Sequence, residues 1–423
     1  LLPPAAAVPL TVLVIVGVTN AINLSDGLDG LAGGTSLLVF ICIGLLCYTG
    51  GDFAEKLAIM LLCTAVAGSI LGFLRFNTYP ANVFMGDTGS QLLGFLAVTL
   101  ALGITQRETP LSPLLTLLLL GFPVLDTLTV MAERIAAGRM PFAPDKNHFH
   151  HKLMRLGLFH TEAVAAIYAI TAFLTAMAYL LRFHSDWLLL GCYASFCALV
   201  VSAFTIAERR GFRFHRTGFF DVGIKGRLKI FKDKNLLIRV CFLPLQYGLP
   251  LLFMAAVLVR GEVPGYLAAV AAAFAATILI VRLMRKDWVN TVIRVAFYLM
   301  VPMVLSLGDA EPAGGVKPAL LAAYHYAFGA LALFTVMTLK FTRRRRGFRA
   351  TPMDFLILLI ALVVPNLPDA FISGLRLGDV AVKTIVLYFG FEVLVGELRG
   401  ELRKIGIGIL SGLALLAVRA VAG

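Results

Sequence analysis

The chain has 423 residues, 59% of them hydrophobic and only 14% charged, with a mean hydropathy of +0.89. Soluble domains carry about 25% charged residues, so this composition excludes a water-soluble globular class and indicates an integral membrane protein. The formal charge of +13 gathers in short loops, a pattern that fits the basic inner face of a membrane and contact with anionic lipid heads, and not nucleic acid.

The apolar stretches run to about 17–22 residues, long enough for spanning helices and too long for barrel strands. The expected class is therefore all-α, a polytopic transmembrane bundle of roughly fourteen helices. In the first half, spans are expected over 8–22, 33–49, 56–75, 89–104, 112–132, 162–182 and 187–207. The six cysteines all lie in apolar runs without paired or CxxC spacing, which suggests small core residues and neither disulfides nor a zinc site.

Between the first two spans lies the polar, glycine-rich run Asn20-Ala-Ile-Asn-Leu-Ser-Asp-Gly-Leu-Asp-Gly-Leu-Ala-Gly-Gly34. Asn20, Asn23, Asp26 and Asp29 at such a junction must reach water, pair, or hold an ion. A solvated helix end with a glycine turn is the competing reading. The next polar loop, Asn82-Val-Phe-Met-Gly-Asp-Thr-Gly-Ser90, sets Asp87 between glycines that allow close backbone approach and beside two hydroxyls. Oxygen donors of this kind suit a hard cation such as magnesium, bound through one or two carboxylates plus substrate phosphates. A helix cap in a tight turn is the alternative.

The third polar loop, Arg134 to Leu153, contains Asp145, Lys146, Lys152 and three of the seven histidines: His148, His150 and His151. A zinc site competes for these residues. No Cys is present, however, the spacing is not that of two ligands one helical turn apart, and the adjacent His150 and His151 are expected to point different ways. Imidazole and ammonium groups suit the oxygens of a pyrophosphate better. Asp126, near the end of the preceding span, either faces the same site or bonds a neighbouring helix.

Residues 208–239 form a basic, aromatic stretch that reads as an interfacial linker on the inner leaflet and as the boundary between two membrane domains, 1–207 and 240–423. Further spans are expected over 237–259, 265–281, 291–308, 319–340, 354–373, 381–396 and 404–421, with basic loops continuing to alternate sides. Pro365, Asn366, Pro368 and Asp369 either kink a polar-lined helix or end one.

The three polar loops share one membrane face, where carboxylates, amides and cationic donors together fit phosphoryl transfer. In order and spacing they resemble those of the polyprenyl-phosphate N-acetylhexosamine-1-phosphate transferases. The last motif, Pro141-Phe-Ala-Pro-Asp-Lys-Asn-His-Phe-His-His151, is closer to the branch that starts O-antigen, common-antigen or teichoic-acid linkage synthesis than to the phospho-MurNAc-pentapeptide transferases. The resemblance covers residues 8–207. It implies transfer of a sugar 1-phosphate from a UDP-N-acetylhexosamine to undecaprenyl phosphate, with release of UMP, at the cytoplasmic face of a bacterial inner membrane.

It also implies Asp87 as the main ligand of magnesium, or of manganese, with Asn23 beside the metal and pyrophosphate. Asp26 and Asp29 would shape the nucleotide-sugar pocket, and His148, His150 and His151 with Lys146 would hold phosphates. Asn20 and Asp126 complete the candidate substrate-binding set, and a homodimer is a further expectation. Asn82 stands where many members carry a basic residue, and Lys146 replaces a frequent arginine. The family's paired aspartates normally precede the first loop by some tens of residues, so an N-terminally truncated member is expected. A flippase or a catalytically inactive scaffold is the alternative. For a flippase, charges should sit at mid-membrane depth in broken helices, whereas here they lie in loops.

Overall fold

A computed structural model describes residues 3–49, 53–106, 109–141, 147–213, 236–259, 263–306, 317–341, 352–363, 377–398 and 402–422. All regular structure among them is helical, as the sequence leads one to expect. Nine of the described helices are long and apolar enough to cross a membrane, which identifies a multi-pass membrane protein without establishing the fourteen spans expected. The chain divides into two compact units, Leu1–Arg216 with Ala350–Val363, and Thr217–Arg349 with Val364–Gly423.

The first unit contains α1 (Pro4–Leu24), α2 (Leu31–Thr49), α3 (Phe53–Asn77), α4 (Gly86–Thr105), α5 (Leu115–Leu119), α6 (Gly121–Ala136), α7 (Phe149–Arg155), α8 (His160–Leu180) and α9 (Asp186–Arg209). Its centre is α2, whose Leu37, Val39, Phe40, Ile43 and Leu46 are all almost inaccessible. A helix apolar on every side is stable only when other helices cover it. Here α3 and α8 lie against it, and the Pro352–Val363 helix packs on α8.

Small residues set the closest approaches. A Cβ on Gly34 of α2 would fall 2.2 Å from the Tyr168 ring on α8, and one on Gly94 of α4 would fall 2.8 Å from Thr19 Cα on α1. Without a hydrophobic driving force between helices in lipid, such small-residue contacts are what let backbones pack.

The single span expected over 112–132 is divided into the short α5 and the longer α6. Pro123 is the physical reason, because it has no N–H for the Leu119 carbonyl and its ring crowds that position. The break is held from outside, where the Tyr193 hydroxyl donates to the Gly121 carbonyl at 3.0 Å.

The second unit is built from Leu236–Leu258, Gly265–Met284, Val289–Ser306, Pro318–Phe341, Leu377–Glu397 and Arg403–Ala422. Its core holds an aromatic group in which Phe297 stacks on Phe391 at 4.6 Å and lies 5.7 Å from Phe253. Gly408 and Gly412, one turn apart, press against Pro250 and Phe253. Lys383 is buried, paired with Asp379 and lying over the Tyr324 ring. The stretch 365–369 and most of the basic linker, 214–235, fall outside the described residues.

Candidate active site

The site grows from the way α1 and α4 touch. They run antiparallel, and the contact of Gly94 with Thr19 implies, one helical turn away on each, a meeting of Ser90 with Asn23. There the Ser90 hydroxyl donates to Asn23 Oδ1, which keeps a second lone pair for a ligand. Asp87 lies three residues before Ser90, exposed in the first turn of α4, where the helix dipole favours a carboxylate. Asn20 is exposed one turn before Asn23 on α1.

The loop between α1 and α2 turns at Gly30, whose φ of +83° is a left-handed conformation that favours glycine. Both backbone groups of Gly30 are taken by side chains from elsewhere. Its N–H donates to Asn77 Oδ1 at 3.0 Å, and its carbonyl accepts from the Tyr168 hydroxyl at 2.6 Å. Asn77 also donates to the Val83 carbonyl at 2.8 Å, so one buried amide joins the first and second loops. Asp29 joins them again, its Oδ2 accepting the Ala81 N–H at 3.0 Å.

Asp26 lies between these contacts. Burial pushes its carboxyl above the usual carboxylate range, and the negative charges of Asp87 and Asp29 add to the shift. Asp26 therefore feels the negative charge of both Asp87 and Asp29, an electrostatic setting that a bound cation relieves. Among the described residues, no three His, Cys, Asp or Glu side chains form a group that could hold a metal ion by themselves.

The third loop is organised by Asp126. Buried on α6, it accepts from His148 Nδ1 at 2.9 Å and from the Phe149 N–H at 2.7 Å, so it both orients an imidazole and caps the start of α7. Asp126 is thus bonded to the third polar loop itself, at His148 and Phe149. Lys152 pairs with Glu133, and Arg134 donates to the Pro141 carbonyl, which tie α7 and its approach to α6. His150 is buried against the first loop, where a Cβ on Gly27 would lie 2.6 Å from its Nε2.

The expectation that His150 and His151 point apart is overturned. Their ring centroids are 4.2 Å apart, and His148 stacks on His150 at 5.8 Å. At the start of the short helix α7, held by Asp126, His150 thus has one imidazole stacked on it and another tilted by 44° beside it. Burial, followed by the neighbouring His151, lowers the His150 imidazole to about 4, so it is neutral near pH 7 and offers a phosphate one N–H and no charge. Lys146 lies outside the described residues.

Thus Asp29 on Ala81, Ser90 on Asn23 and His150 beside Gly27 join the three loops, and Asp126 holds His148 stacked on His150. Sequence reading passed over Asn77, His160 and Tyr168, three polar groups that hold the first loop. Each is a lone polar residue at the end of, or inside, an apolar helix, and only the paired glycines at 30 and 34 hint at what they meet.

Residues 1–105 match the sequence model of glycosyl transferase family 4. Over 183 residues the chain is 43% identical to a probable undecaprenyl-phosphate N-acetylglucosaminyl 1-phosphate transferase of Bacillus subtilis, covering 43% of the chain and 50% of that relative. It is 35% identical over 189 residues to the undecaprenyl-phosphate alpha-N-acetylglucosaminyl 1-phosphate transferase of Escherichia coli K12, covering 43% of the chain and 50% of the relative. It is 41% identical over 186 residues to the decaprenyl-phosphate N-acetylglucosaminephosphotransferase of Mycolicibacterium smegmatis, covering 40% and 45%. The chain spans about half the length of the curated relatives it matches.

Proposed function

We propose that the first unit transfers an N-acetylhexosamine 1-phosphate from a UDP-sugar to undecaprenyl phosphate, releasing UMP, at the cytoplasmic face of a bacterial plasma membrane. The relatives' names supply the reaction class. The observation that carries it to this chain is the joining of three sequence-distant loops, with Asp29 on Ala81, Gly27 against His150, and Asp26 in the field of Asp87.

The acceptor phosphate is anionic at neutral pH, so the site needs alignment and charge neutralisation more than a strong base. Asp87, exposed at the start of α4, and Asn23, its amide oxygen fixed by Ser90, would hold a divalent cation, magnesium or manganese. The donor set fits, since magnesium characteristically takes one or two carboxylates and completes its shell with water and substrate phosphates. When bound, the cation would neutralise pyrophosphate charge. His148, its Nδ1 engaged by Asp126, leaves Nε2 for a phosphate oxygen, and neutral His150 adds a buried donor. Asp26 and Asp29 would line the nucleotide-sugar side.

Membranes containing the full chain, given UDP-GlcNAc and undecaprenyl phosphate, should release UMP and form a lipid-linked sugar only when both substrates are present. Absence of lipid-dependent UMP release would overturn the proposal.

A further inference from the structure

We infer that His160 is a positioning residue whose ring accepts the Asp29 N–H and thereby orients the acidic first loop against the second; this rests on the transferase reading of the first unit. His160 opens α8, and its Nε2 stands 3.2 Å from the backbone nitrogen of Asp29, 131 residues away in sequence. Accepting that N–H requires the Nε2 lone pair, so the proton of the neutral ring is on Nδ1. Nδ1 is enclosed and has no hydrogen-bond partner among the described residues. The ring is therefore engaged by Asp29 at one edge and held by packing elsewhere.

That packing joins the second loop. The His160 ring stacks on Tyr79 at a centroid distance of 4.5 Å and an interplanar angle of 29°. Two residues on, the Ala81 N–H donates to Asp29 Oδ2 at 3.0 Å. One imidazole thus touches Asp29 directly and, through Tyr79, the turn that leads to Asp87.

The neighbouring peptide group is fixed by other means, with Gly30 bonded to Asn77 and Tyr168. Those bonds locate the turn. The orientation of Asp29 itself depends on its N–H being satisfied while its carboxylate stays on Ala81. Remove the acceptor and this part-buried N–H loses its partner, at a cost that a rotation of the residue would relieve. Such a rotation would carry the carboxylate away from Ala81 and disturb the nucleotide-sugar side of the pocket.

Two substitutions separate the acceptor from the packing. His160→Gln keeps a carbonyl acceptor without the ring, and His160→Phe keeps a ring to stack on Tyr79 without the acceptor. In full-chain protein, His160→Phe should raise the KM for UDP-GlcNAc about tenfold, the loss of roughly one hydrogen bond. The KM for undecaprenyl phosphate should stay within about twofold, and His160→Gln should recover most of the loss. Hydrogen exchange of the peptide containing Asp29 should be faster in His160→Phe than in the wild type and His160→Gln.

An unchanged UDP-GlcNAc KM in His160→Phe, or equal losses in both variants, would overturn the inference. If the wild type releases no UMP, the transferase reading fails. Exchange at Asp29 then decides the positioning claim alone, and equal rates in His160→Phe and the wild type would reject it.

Discussion

Asp126 accepts hydrogen bonds from His148 Nδ1 and the Phe149 N–H at 2.9 and 2.7 Å, and Asp126→Ala leaves a buried N–H and an imidazole without their partner. The expected cost is about 1–3 kcal/mol. It should appear as a lower melting temperature and as a loss of UMP release larger than that unfolding explains. His150 gives a pH dependence of known sign. Burial and then His151 lower its imidazole to about 4, against about 6.5 in the unfolded chain. Between those values the unfolded chain binds a proton that the folded chain does not, so stability falls as pH drops below about 6.5 and levels off below about 4. Above that window both states are neutral and the group contributes no slope. Melting curves between pH 7.5 and 5 should therefore show a smaller acid loss in His150→Gln than in the wild type.

At the scale of elements, the α1–α4 contact decides where Asn23 and Ser90 meet. Gly94→Ala would place a Cβ 2.8 Å from Thr19 Cα and 3.0 Å from its carbonyl oxygen, both backbone atoms that cannot rotate away. Overpacking of this kind costs about 1–3 kcal/mol. The melting temperature and UMP release should both fall, because α4 must shift and carry Ser90 off Asn23. Gly68→Ala on α3, where nothing lies within 4 Å of the added carbon, is the matched control and should leave both nearly unchanged.

Elements also show what the sequence could reveal. The loops were legible because carboxylates, amides and histidines stand out against apolar spans. The joints between loops were not, since Asn77, His160 and Tyr168 act across 47, 131 and 138 residues, and spacing along one chain carries no such distance. The break at Leu120 was written in Gly121-Phe-Pro123 and was hidden by apolar length, which treated 112–132 as one span.

For the whole molecule, the division into two units assigns the proposed chemistry to one of them. Lys383→Leu in the second unit removes a buried ammonium paired with Asp379 and should lower that unit's thermal stability. UMP release per folded molecule should change by less than about twofold, because Lys383 belongs to the other compact unit. A large change in the KM for either substrate would instead give the second unit a part in the reaction.

In the proposed transferase site, Asp87 would neutralise phosphate charge through a cation. The most direct test of this role is lipid-dependent UMP release from UDP-GlcNAc by purified full-chain protein, wild type against Asp87→Ala, with magnesium present and then chelated. Release by the wild type with magnesium is expected, with a loss of at least about a hundredfold in Asp87→Ala, on the order of 3 kcal/mol of transition-state stabilisation. Equal release by the two proteins, or release that persists under chelation, would contradict that role.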